Sequence, residues 1–80
     1  MHIQTIRELI EQGLPGAKVT VQGDGRHFEA LVESPLFSGK SMVARHQMVY
    51  RALGDKMREE IHALSIRAVA PDEPGAGDGH

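Results

Sequence analysis

Eighty residues make room for one small core and not two, because a chain this short removes only roughly 60% of its unfolded surface on folding. With no cysteine, it cannot add a disulfide, a tetra-cysteine zinc site or an iron–sulfur centre held by its own sulfurs. The net charge is −2, yet Ser38–Arg58 sets Lys40, Arg45, Arg51, Lys56 and Arg58 against Asp55 alone, a local +4 that leaves −6 elsewhere; such a balance excludes the strong positive field of a sequence-blind nucleic-acid binder but leaves a local face for phosphate or an acidic partner.

The first residues, Met1 to Thr5, run into Arg7 and Glu8 within a periodic pattern, unlike a secretory signal. No apolar run approaches the roughly 20 residues that cross a bilayer. A cytoplasmic location without membrane contact is the expectation.

Ile3, Ile6, Leu9, Ile10 and Leu14 recur at three- and four-residue spacing and predict a helix from near Gln4, with Thr5 as candidate N-cap. Gly13, Pro15 and Gly16 end it. Ala17 to Gln22 alternates as a half-buried strand, and Gly23-Asp24-Gly25 offers a turn with two positions free for positive φ. Phe28, Ala30 and Val32 then alternate with His27, Glu29, Leu31 and Glu33, which predicts a second strand antiparallel to the first.

Ser34-Pro35 interrupts the strand pattern and Phe37 follows as an apolar anchor. Met42, Val43, His46, Val49, Tyr50 and Leu53 fall at helical spacing behind Ser41 as N-cap, and Gly54-Asp55 breaks that helix. Lys56–Glu60 has the length of a short further helix carrying Met57. Ile61–Val69 alternates again as a third strand, leaving open whether Ala63 or Leu64 leads the inward row. From Pro71 to His80 nothing asks for burial, so residues 1–70 form the expected domain and 71–80 a disordered tail. The order αββααβ implies an α+β fold, one three-stranded sheet with helices on one face.

Phe37-Ser38-Gly39-Lys40-Ser41, then Val43-Ala44-Arg45-His46-Gln47-Met48-Val49-Tyr50, then Ile61-His62-Ala63-Leu64-Ser65-Ile66 resemble the BolA family, over nearly the whole chain to about Pro71. The tight hairpin Val21–Phe28 is similar to its short IbaG-like subgroup. The resemblance implies a mixed sheet in a fold like a type II KH domain. It also implies a non-enzymatic role beside a monothiol glutaredoxin, sharing a [2Fe–2S] cluster with glutaredoxin and glutathione, in cluster transfer or iron and redox signalling. Some bacterial members are transcriptional regulators, which makes DNA the alternative partner, and a weak homodimer is a further association to test. No cluster is expected in the isolated chain.

On that resemblance His62 matches the family's C-terminal histidine ligand. A neutral imidazole suits such a site, since nitrogen can hold one iron while thiolates hold the other. The second ligand position falls near Asp24, where the family carries Cys or His; the nearest imidazole is His27, so the residues leave His27, Asp24 or His62 alone as the attachment. Lys40, Arg45 and His46 present the expected partner-binding surface. Under the alternative, Arg45, Arg51, Lys56 and Arg58 contact phosphate. His46 borders the core and Tyr50 anchors packing.

Catalysis finds no support. The Gly39-Lys40-Ser41 end of a phosphate loop has Ser34 where its first glycine belongs, and Ser41, His46 and Asp55 come without a nucleophile elbow. No KH-type G-x-x-G loop occurs, since Gly54 stands beside Asp55 and Lys56.

Overall fold

The structure is a computed structural model that describes residues 2–24, 26–57 and 63–73. In chain order these form α1 (Ile3–Gly13), β1 (Lys18–Gly23), β2 (Phe28–Glu33), a 3-10 turn Pro35–Phe37, α2 (Met42–Leu53), a second 3-10 turn Gly54–Met57, and β3 (Leu64–Val69). The expected short helix shows its first residues as that second 3-10 turn, while 58–60 and the Ile61-His62 start of the third strand lie outside the described residues.

The sheet order is β1-β2-β3, antiparallel between β1 and β2 and parallel between β2 and β3, so the fold is α+β with a mixed sheet. Both helices pack on one face. Ile6 and Ile10 from α1, Leu14 at its C-cap, and Val49 and Leu53 from α2 meet Phe28, Ala30, Val32, Leu64 and Ala68 from the sheet. The inward row of β3 is therefore the Leu64 phase. Burying each fully enclosed Ile or Leu contributes about 1.5–3 kcal/mol, and the small sheet residue Ala30 leaves room for the helices to settle over β2.

Local chemistry departs from expectation at several places. His2, not Thr5, occupies the N-cap of α1 and makes no side-chain cap bond. Gly13 remains helical; a Cβ there would lie 2.4 Å from Ala52 Cβ, so close approach of α1 to α2 is what requires it. Ser41 does cap α2, its Oγ accepting from the Ala44 N–H at 3.1 Å. Gly54 ends that helix with a φ of +61°, a backbone state that favours glycine. Phe37 is fully buried. Ser34 is too, with its Oγ accepting from Leu36 N–H and its own N–H donating to Val69 O at 3.0 Å.

Candidate functional site

The sheet's second face has no described helix over it. Register puts Thr20 opposite Leu31 and Gln22 opposite Glu29 across β1 and β2, and Glu29 beside Ser65 and Leu31 beside Arg67 across β2 and β3. These side chains line a shallow groove of about 400 Å³. A second groove, of about 530 Å³, shares Gln22, Glu29 and Ser65 with it and continues to Gly23, Asp24 and His27. One open surface thus runs from mid-sheet to the β1–β2 turn.

That turn is tied by its own acid. Asp24 Oδ1 accepts from the backbone N–H of His27 at 2.8 Å and of Arg26 at 2.9 Å, while Asp24 N–H donates to His27 O at 3.2 Å. The His27 bond first and the Arg26 bond second hold the Asp24 carboxyl below the usual aspartate value. Gly23 sits at the base without positive φ; a Cβ on it would meet Phe28 Cδ1 at 2.6 Å, so it is the aromatic ring lying against the strand end that demands glycine. With Phe28 fixed, His27 is set at the exposed rim.

The pairing of Phe28 with both Gly23 and Leu64 brings the turn and the start of β3 to one end of the sheet. His62, two residues before Leu64 in the chain, lies outside the described residues, as does Arg58. Among the described residues no three His, Cys, Asp or Glu side chains gather as a metal site. His27 and Asp24 can therefore offer one nitrogen and one carboxylate oxygen on an exposed rim, a donor set suited to completing a group that another molecule already holds.

The basic surface needs correction at Arg45. This residue is only 7% exposed. Its Nε donates to Lys40 O at 2.9 Å and its Nη1 to Ala68 O at 3.0 Å, and the guanidinium grips the Glu73 carboxylate through bonds of 2.7 and 2.5 Å. Because Val69 O points toward the β2 side to meet Ser34, Ala68 O points to the outer edge of β3, where Arg45 satisfies it. Glu73 also accepts from Ala70 N–H at 2.9 Å. Within the expected tail 71–80, Glu73 is thus held to Arg45 and Ala70, while 74–80 lie outside the described residues.

Lys40 stays exposed and Arg51 is exposed on α2. Lys56 contributes its backbone to the second 3-10 turn. His46, half-buried at the border of the core, has its ring edge-on to Tyr50 with centroids 6.5 Å apart, and its buried Nε2 meets no hydrogen-bond partner among the described residues. Tyr50, expected to anchor packing, is 37% exposed, and Met42 and Val43 on the same helix are 51% and 68% exposed. Glu73 was the residue missed. The signal for it was Arg45 in one row with Val49 and Leu53, a cation on the buried stripe that requires an anion.

Comparison with known proteins agrees over nearly the whole length. The acid stress protein IbaG of Escherichia coli K12 is 36% identical over 74 residues, covering 91% of this chain and 88% of that protein. A bolA protein homologue from Coxiella burnetii has a similar structure, with a TM-score of 0.79 and 44% identity over 90% of this chain and 94% of that one. The BolA domain of SufE1 from Arabidopsis thaliana is also similar, at a TM-score of 0.70 and 37% identity over 86% and 91%. With residues 8–73 matching the BolA-like protein family, the chain belongs to that family of non-catalytic adaptor and regulatory proteins, among its IbaG-like members.

Proposed function

We propose that the protein completes the coordination of a [2Fe–2S] cluster carried by a monothiol glutaredoxin and its glutathione, in cluster transfer or signalling. The observation that carries this reading is the register at one end of the sheet. It brings the Asp24–His27 turn beside the start of β3, two residues after His62 in the chain, on the edge of an open polar groove. A chain without cysteine leaves every sulfur ligand to the partner. His62 is the imidazole ligand in this reading, with His27 as the second attachment and Lys40 on the docking side. When bound, the cluster supplies the iron and the redox chemistry; this chain supplies neutral nitrogen, orientation and a shielding wall.

The sharing of the BolA domain with SufE1 of Arabidopsis thaliana supports a place in iron–sulfur handling. The parallel β2–β3 pair is compatible with the type II KH-like topology that the family resemblance implies. DNA binding draws less support, because Arg45, one of its four cations, is buried against Glu73.

Cluster-loaded monothiol glutaredoxin titrated with this protein, followed by visible absorption and circular dichroism, tests the proposal. The wild type is expected to alter the cluster spectrum, and His62→Ala to abolish the change. Coordination through neutral imidazole also requires the change to weaken on acidification. A spectrum unaltered by the wild type overturns the reading.

A further inference from the structure

Asp24 stands where the family carries its second ligand, yet its hydrogen bonds give it different work. We infer that Asp24 is a positioning residue that presents the His27 imidazole to an iron-bearing partner, rather than a ligand itself; this rests on the cluster-sharing reading above. One carboxylate oxygen takes both backbone N–H groups of the turn's far side, at 2.8 and 2.9 Å, and the Asp24 N–H closes the loop onto His27 O at 3.2 Å. His27 thereby has both its amide N–H and its carbonyl tied to Asp24.

The next residue, Phe28, is buried and lies against Gly23, so the backbone of His27 is fixed on both sides. Only the side-chain torsions of His27 remain free at the rim. Ligation through Oδ1 would cost two charge-assisted bonds and loosen the segment that carries the imidazole, which leaves Asp24 only Oδ2 to offer while Oδ1 holds the turn. A soft, thiolate-rich cluster also favours nitrogen over carboxylate oxygen. Both arguments assign ligation to His27 and support to Asp24.

Asn keeps a side-chain oxygen for the two N–H groups but loses the charge; Ala loses both. Two readouts on Asp24→Asn, Asp24→Ala and His27→Ala test the assignment. The first is amide hydrogen exchange at Arg26 and His27 in the protein alone. The second is the affinity for cluster-loaded glutaredoxin, read by visible circular dichroism. Asp24→Asn is expected to keep amide protection and bind within about twofold of wild type. Asp24→Ala is expected to lose that protection and about tenfold in affinity, as removal of outer partners of a metal ligand commonly does. Combined with His27→Ala, Asp24→Ala should add nothing more, since its effect runs through the imidazole.

Equal losses from Asp24→Asn and Asp24→Ala would overturn the inference, because the carboxylate itself would then be the ligand. Wild-type affinity in Asp24→Ala or in His27→Ala would overturn it too, leaving attachment through His62 intact. A wild type that leaves the cluster spectrum unaltered overturns the cluster-sharing reading and the inference together, and is thereby distinguished from the other outcomes.

Discussion

Arg45 donates four hydrogen bonds, and they reach three separate pieces of chain: the residue before the α2 N-cap, the end of β3 and the turn at Glu73. A planar fork with five N–H donors can do this; an ammonium with three donors around a point cannot match the bidentate Glu73 geometry. Arg45→Lys is therefore expected to lower the thermal midpoint by about 5 °C or more, measured by far-ultraviolet circular dichroism. The same pair makes an acid-sensitive latch. The Arg45 guanidinium, helped by Ala70 N–H, brings the Glu73 carboxyl down from 4.5 to about 2. A depressed acid stabilises the fold fully above its unfolded value and loses that contribution as pH falls toward the folded one. Wild type should thus lose stability between about pH 4.5 and 2 more steeply than Glu73→Gln, in parallel denaturant titrations at each pH. An identical pH slope for the two would contradict the role of the ion pair.

The elements differ in how plainly the residues announced them. In β2 the alternation of Phe28, Ala30 and Val32 with Glu29, Leu31 and Glu33 needed only the two-residue period of a strand, and the burial follows it. In α2 the period was right and the face right only in part. Val49 and Leu53 of that spacing lie in the buried row, whereas Met42, Val43 and Tyr50 are exposed and the row's third buried member is Arg45. A charge disguised that row because its counter-ion lies 28 residues away in the chain. Helix approach was equally hidden, since Gly13 reads as a terminator by sequence and serves as a contact point in space. Ala at a helical position normally gains about 1 kcal/mol over Gly. Here the added Cβ would also stand 2.6 Å from the Ala52 Cα, so an overpacking penalty of about 1–3 kcal/mol should dominate. Gly13→Ala is expected to destabilise in chemical denaturation. Adding Ala52→Gly should not restore stability fully, because the backbone atom of the clash remains.

At the scale of the molecule, the candidate site depends on a pairing that no local period reveals. Antiparallel β1–β2 follows from a short turn, but parallel β2–β3 is fixed only when α2 crosses the sheet and returns the chain to the end from which β2 began. The turn half of the site was therefore legible, in Gly23, Asp24 and His27, while its nearness to β3 required the family resemblance or the structure. The Glu73 contact was obscured for a related reason: Pro71 and Asp72 offer nothing apolar to bury, and what holds this stretch is one polar residue, through its carboxylate and its N–H. The family match also runs to residue 73. A chain ended after Glu73 should keep the thermal midpoint of the full chain within about 2 °C, whereas one ended after Ala70 should lose about 5 °C or more. The shorter chain leaves a largely buried guanidinium without its carboxylate and Ala70 N–H without Glu73 Oε1, both at the outer edge of β3. Sedimentation velocity supplies the second readout, because an edge stripped of that cover gains exposed strand groups able to pair with another copy. Self-association should appear only in the chain ended at Ala70, and equal midpoints for the two shortened chains would place the boundary at residue 70 after all.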